Sequence, residues 1–261
     1  MDISFFEEFP TPENMRKVRQ LPFPTKLYIA ATSFSEFERI KQQYSKDNKN
    51  NKHPIKEWVY WPILTKKEGY WLSPFSNRTA LQRIFQELTK PTSNPKHLPL
   101  MLDLELPTTR NPLLYLKEGW RFWLNRQLIA NFIHNYKGKI YLCEYYPEGK
   151  FKEKILQWLG LHYPLQHKNI FVIKMLYHSL HPFQKEFVHQ ELQRGKEEWN
   201  HNFIVGLGTI AHGINGNEPL LSPTQLQIDL SIAKQEHISE VIIFRVGGVN
   251  KEYIKVLEKF V

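Results

Sequence analysis

Residues 98–107 read Leu98-Pro99-Leu100-Met101-Leu102-Asp103-Leu104-Glu105-Leu106-Pro107. The run is apolar, has the length of a strand, and is bounded by prolines. Side chains two apart on a strand project to one face. Asp103 and Glu105 therefore share a face, and Leu102, Leu104 and Leu106 share the other. A strand that is apolar almost throughout is covered on both sides, as in parallel α/β sheets. A carboxylate in such a strand is costly unless it has a partner or a task, so this pair is the first candidate for a site.

Outward from this strand, apolar runs alternate with helical patterns along the whole chain. Strands are expected at 2–9, 26–31, 55–64, 98–107, 139–146, 169–178, 202–211 and 240–246. Thr11 reads as an N-cap with Pro12 at the first helical position, and Ser222-Pro223 repeats that signal. Asn77 opens a helix running through Lys90, and Asn250 opens the last one. One long helix is expected over 111–136, with Pro112 near its start and Gly138 at its end. Residues 46–53 form a polar, turn-rich loop, and Pro91 and Pro95 lead into the carboxylate strand. Eight strand–helix units without a linker predict one domain over 1–261. The fold class is α/β, a single (β/α)8 TIM-type barrel. An open doubly wound sheet would carry a glycine-rich turn after its first strand. Here that turn is Glu7-Glu8-Phe9-Pro10-Thr11-Pro12, with no glycine.

Composition sets outer bounds. With 41% hydrophobic and 14% aromatic residues, the 261-residue chain can build a large core. The net charge of +9 suits an anionic partner, but the cations are scattered and no nucleic-acid-binding signature is present. Cys143 is the only cysteine, which excludes an internal disulfide and a cysteine zinc site. It reads as a buried thiol and not a nucleophile. No basic leader and no apolar run of about 18 residues is present, so a cytoplasmic protein without a membrane or nucleic-acid partner is expected.

In a barrel of this type the site is built at the C-terminal ends of the strands. The polar and aromatic residues expected there are Glu7 and Glu8, then Tyr60 and Trp61, with Tyr70 and Trp71 in the following loop. Asp103 and Glu105 follow, then Glu144, Tyr145 and Tyr146. Lys174, Tyr177 and His178, then Thr209 and His212, and finally Arg245, complete the set. Carboxylates among tyrosines and tryptophans suit a carbohydrate cleft. Sugars stack on rings, and paired carboxylates supply a general acid with a nucleophile or base. The Asp103-Leu104-Glu105 motif resembles the D-x-E strand of chitinase-type and muramidase-type barrel glycosidases. The resemblance implies a glycoside hydrolase with Glu105 as the acid and Asp103 as its helper. Glu144 is the candidate second carboxylate. Glu7, Tyr60, Trp61, Trp71, Tyr177, His178 and Arg245 are the candidate substrate contacts. No cofactor is expected, and the partner is a carbohydrate or another small molecule.

Two other readings stay open. Glu7, Asp103, Glu105, Glu144, His178 and His212 include enough oxygen and nitrogen donors for a divalent metal, which would suit a phosphodiesterase-like barrel. A non-catalytic barrel binding carbohydrate or protein is the third. In that case Asp103 and Glu105 pair with Lys174 and Arg245 as a structural ion network.

Overall fold

The computed structural model describes residues 1–47, 55–89, 98–107, 112–145, 149–163 and 169–261. Most of the loop expected at 46–53, both Pro91 and Pro95, the helix start at Asn111, and Tyr146 lie outside the described residues. Eight strands are present: β1 (Asp2–Glu7), β2 (Thr25–Ala31), β3 (Ile55–Pro62), β4 (Leu100–Asp103), β5 (Ile140–Glu144), β6 (Ile170–Met175), β7 (Phe203–Gly208) and β8 (Glu240–Phe244). They close into one barrel in sequence order. β1 pairs in parallel with β2 and β8, β4 with β3 and β5, and β7 with β8.

The helices among the described residues are α1 (Pro12–Lys17), α2 (Phe34–Asp47), α3 (Arg78–Thr89), α4 (Pro112–Gly119), α5 (Phe122–Asn135), α6 (Lys150–Trp158), α7 (Lys185–Trp199), α8 (Pro223–Gln235) and α9 (Lys251–Leu257). The barrel is thus of the (β/α)8 type. Local signals place several helix starts. Thr11 Oγ1 accepts from Asn14 N at 3.2 Å, and Ser222 Oγ accepts from Gln225 N at 3.1 Å. Asn250 Oδ1 accepts from Glu252 N and Tyr253 N. The long helix expected over 111–136 is instead two, α4 and α5. A tight turn in which Arg121 N donates to Glu118 O at 2.9 Å breaks it, directly after Gly119. Glycine is a poor helix residue, and the periodicity on either side gave no sign of the break.

By packing, the chain divides into two compact units. One comprises 1–30, 38–59 and 173–261; the other comprises 31–37 and 60–172. In the second unit, register decides which side chains face the helices. Tyr60 pairs with Leu100, and the Tyr60 ring stacks on Phe37 of α2 at 5.0 Å. Tyr60 and Leu100 therefore face the helices, and so do Leu102 and its partner Leu142. Trp61, Met101, Asp103 and Cys143 take the opposite, interior face.

In the first unit Phe203 faces helix α7, where its ring lies over Gly195. Alternation from Phe203 puts Gly206 and its partner Ile242 on the interior face, with Ser4 paired to Ile242 and Phe6 to Phe244. A polar cluster fills the N-terminal end of that face. Glu240 accepts from Ser4 Oγ at 2.7 Å, from Lys26 Nζ at 2.7 Å and from Tyr28 OH at 3.2 Å. Lys26 also meets Glu57 at 3.4 Å. A buried charge is tolerable only when its hydrogen-bonding capacity is met, and this cluster meets it.

The close approach of α7 to β7 yields a sign-reversed expectation. Glycine to alanine within a helix normally stabilises by about 1 kcal/mol. A Cβ on Gly195, however, would strike the Phe203 ring. Gly195→Ala is expected to destabilise the chain by about 1–3 kcal/mol, the usual cost of overpacking. Chemical denaturation of the variant beside the wild type measures it, and a gain in stability would refute the packing described.

Candidate active site

Asp103 ends β4 and is buried, in register with Cys143. The ladder continues one step further, because Leu104 N donates to Cys143 O at 3.1 Å. Glu105 then lies half-buried two residues along, and Tyr145 OH donates to Glu105 Oε2 at 3.2 Å. These four side chains form one group. Burial pushes the Glu105 carboxyl up to about 7, and the Tyr145 hydrogen bond acts against that rise. Loss of solvent outweighs that bond. Burial, and then the negative charges of Asp103, Glu105 and Glu144, raises the Cys143 thiol well above its usual value. That thiol is therefore a poor nucleophile. Burial likewise raises the Tyr145 phenol, with the Glu105 and Asp103 charges adding to it.

The end of β3 and the loop after it build an aromatic wall. Trp61 and Trp71 stack at 5.7 Å with planes 5° apart, and Tyr70 meets Trp71 edge-on at 4.3 Å. The wall is tied to the carboxylate strand through Leu72 N, which donates to Asp103 O at 3.1 Å. Ser76 Oγ donates to Trp71 O at 2.6 Å and holds the loop from the other side. The loop needs Gly69, whose φ of +121° is open to glycine and whose added Cβ would strike Ser76 Oγ. Trp61 is 2% exposed and Trp71 6%, so neither has the open face that a stacking platform needs. They form a dry wall. Tyr60, expected beside Trp61 as a substrate contact, is turned to the helices, because neighbouring residues of a strand cannot share a face.

Glu144 follows the same rule. It lies between Cys143 and Tyr145 in sequence and therefore on the opposite face from the Asp103 group. There it is fully buried, and His162 Nδ1 donates to its Oε2 at 2.5 Å while Tyr163 N donates to its Oε1 at 3.1 Å. The other His162 nitrogen lies 3.7 Å from Glu153 of α6. Gly160 makes this reach possible. Its φ of +67° reverses the chain after α6, and a Cβ there would meet Pro74 Cγ at 2.8 Å. No local pattern in the sequence marks His162, whose partner lies 18 residues upstream, or Tyr163 beside it.

The first unit holds the remaining candidates. Glu7 faces the helices, opposite to Phe6, and is encased by donors. Its Oε1 accepts from Arg245 Nη1 at 2.9 Å, Phe9 N at 2.9 Å and Asn14 Nδ2 at 3.2 Å. Its Oε2 accepts from Gly247 N at 2.7 Å. Burial raises the Glu7 carboxyl, and the Arg245 charge opposes the rise. Arg245 also donates to His212 O and covers the Phe9 ring at 4.9 Å. His178 pairs with the buried Asp229 of α8 at 2.8 Å, with its other nitrogen 3.0 Å from Phe183 O. The Asp229 bond holds His178 above its usual range. Asp229 was not anticipated from sequence. Tyr177 lies on the interior face, over Gly206 and 6.0 Å from Phe244. Within this unit Glu7 and Arg245 come together, whereas His178 and Tyr177 turn apart. Three of the six donors of the metal reading, Glu7, His178 and His212, lie in this unit. Glu7 and His178 are engaged as above, and His212 Nδ1 meets Glu218 O at 2.9 Å.

No family model matches the chain, and no curated protein matches it by sequence. Solved structures do match. The spore cortex-lytic enzyme SleL of Bacillus megaterium QM B1551 superposes with a TM-score of 0.56 at 10% identity, over 99% of this chain and 73% of its own. A GH18 chitinase from Cycas revoluta in complex with (GlcNAc)4 gives 0.51 at 11% identity, over 100% and 99%. A D-tagatose 3-epimerase-like protein gives 0.51 at 13% identity, over 99% and 95%. At these identities the shared property is the fold, a barrel that carbohydrate-acting glycoside hydrolases use and that an epimerase-like protein also uses.

The Glu144–His162 pair generates a stability test. His162→Leu strands a buried carboxylate and is expected to cost about 3–5 kcal/mol. The double variant Glu144→Leu/His162→Leu removes both polar groups and should recover a large part of that loss. Thermal and urea denaturation of the two single variants and the double variant closes the cycle. Additive losses would contradict the pairing.

Proposed function

We propose that the protein is a carbohydrate-acting hydrolase in which Glu105 is the proton donor to the glycosidic oxygen. The observation that carries this reading is a half-buried carboxyl just past the C-terminal end of a barrel strand, bonded to Tyr145 and pushed up by burial to about 7. A general acid serves best when its pKa lies near the working pH. Burial supplies that value against the opposing Tyr145 hydrogen bond. Asp103, one strand period before Glu105, is the helper that orients the acid and an acceptor for a substrate donor. Tyr145 holds Glu105 through its hydroxyl.

Glu144 takes a different part from the one its position in sequence suggested. It anchors the end of β5 through His162 and Tyr163, and so fixes the strand that carries Tyr145. The group that steadies an oxocarbenium-like transition state is then Asp103 or the substrate itself. An anionic or amino-modified sugar fits the net charge of +9 no better than a neutral one, because the cations are spread along the chain.

Glu105→Gln keeps the shape and removes the proton. On any oligosaccharide that is turned over, its rate should fall by about 10²–10⁴-fold with binding largely kept. Metal-dependent cleavage of phosphodiesters in the same screen, unchanged in Glu105→Gln, would replace this reading with the metal one. No turnover of any oligosaccharide would favour a binding barrel.

The acid acts when protonated, so the wild-type rate should decline as pH rises through about 7. The Tyr145 hydrogen bond favours the carboxylate. Tyr145→Phe should therefore move that decline to higher pH, as read from the alkaline limb of the profile.

Stability gives an independent readout. The carboxyl is raised from 4.5 to about 7, so its contribution is complete below 4.5 and is lost as pH rises through about 7. Glu105→Gln removes this loss. The variant should be more stable than wild type at alkaline pH by on the order of 1–3 kcal/mol, and its advantage should vanish in acid.

A further inference from the structure

The second unit carries an exposed apolar ridge that the proposed chemistry does not use. Leu113, Leu116, Trp120 and Trp123 recur at intervals of three and four across α4, the turn and the start of α5, and all are exposed. Trp120 is 92% exposed. Phe151, Ile155 and Trp158 repeat that spacing on α6. The two stripes join at Trp158, which lies 5.5 Å from Phe122 and 6.2 Å from Trp123. An exposed patch of this kind marks an interaction surface.

The charges around it select the partner. Among the described side chains of 113–126 and 149–158, the exposed charged ones are Lys117, Arg121, Lys152 and Lys154, all cationic. Of the two acids in the same segments, neither is exposed, and Glu118 lies 4.0 Å from Arg121. Glu118 is fully buried, and Glu153 lies against His162. Trp, Leu and Phe projecting between Lys and Arg is the composition of a helix surface that lies in a lipid headgroup layer. We infer that this ridge seats the protein on an anionic lipid bilayer, with Trp120 and its neighbours entering the headgroup layer and the four cations against lipid phosphates. A second copy of the chain fits less well. A two-fold contact would bring the same four cations of each copy together and repel. The association is peripheral, because no helix among the described residues is long and apolar enough to cross a membrane. It goes against the expectation, from sequence alone, of no membrane partner.

The test is co-sedimentation of the full chain with vesicles of phosphatidylcholine mixed equally with phosphatidylglycerol, beside vesicles of phosphatidylcholine alone. Binding is expected to the anionic vesicles, at least about tenfold weaker to the neutral ones, and reduced again at about 1 M salt, where screening shortens to about 3 Å. Leu116→Ser/Trp120→Ser and, separately, Lys117→Glu/Arg121→Glu should each lower the partition about tenfold or more. These positions are exposed, so far-UV circular dichroism and the melting temperature should stay at wild-type values; a variant that melts early is replaced by Trp120→Ser alone. Failure of the wild type to bind anionic vesicles overturns the inference. So does binding that neither variant weakens. A wild-type dimer by light scattering that Leu116→Ser/Trp120→Ser converts to monomer, without vesicle binding, assigns the ridge to a second copy instead.

Discussion

Side chains on a strand alternate between two faces, and this one constraint sorts the carboxylates at the ends of β1, β4 and β5. Strand β4 presents Asp103 to the interior because Leu100, paired with the helix-facing Tyr60, is committed to the other side, and Glu105 follows two residues past the strand end, bonded to Tyr145. The same alternation sends Glu144 outward between Cys143 and Tyr145, and Glu7 outward beside Phe6. Residues that look equivalent as strand-end acids therefore enter two different environments, only one of which faces the barrel interior.

The two environments are treated oppositely by their surroundings. Glu7 receives four donors, including the Arg245 guanidinium, and Glu144 receives a histidine and a backbone amide. Both are satisfied, as a buried acid on the helix side must be if the fold is to tolerate it. Glu105 receives a single hydroxyl at 3.2 Å and loses solvent, with no cation among the causes that act on it. A structural carboxylate is one whose charge the fold neutralises. A carboxyl that holds its proton near neutral pH is left without that neutralisation, and this difference separates a candidate acid from a brace.

The same logic extends to the polar cluster of the first unit. Glu240, Lys26, Ser4 and Tyr28 satisfy one another on the interior face at the N-terminal end of the strands, opposite to the end where function is built in barrels. The charge there serves packing. A barrel of this kind thus tolerates acids at both ends for different reasons, and the presence of an acid on a strand does not by itself identify a site.

The sequence by itself determined the barrel. Eight apolar runs alternating with capped helical patterns leave few other topologies, because alternating β and α units force parallel strands with crossover helices. It also determined the face shared by Asp103 and Glu105, because a period of two is local. It could not determine which of two neighbouring residues turns inward where both are chemically plausible. Tyr60 and Trp61 both suit a contact by residue type, and only the stacking of Tyr60 on Phe37, from a helix before it in sequence, resolves the pair. Nor could it find His162 for Glu144, Asp229 for His178 or Arg245 for Glu7, whose partners lie 18, 51 and 238 residues away. Spacing along the chain carries the direction of a side chain. What meets it there, and hence whether its charge is braced or left poised, is decided only when distant segments pack.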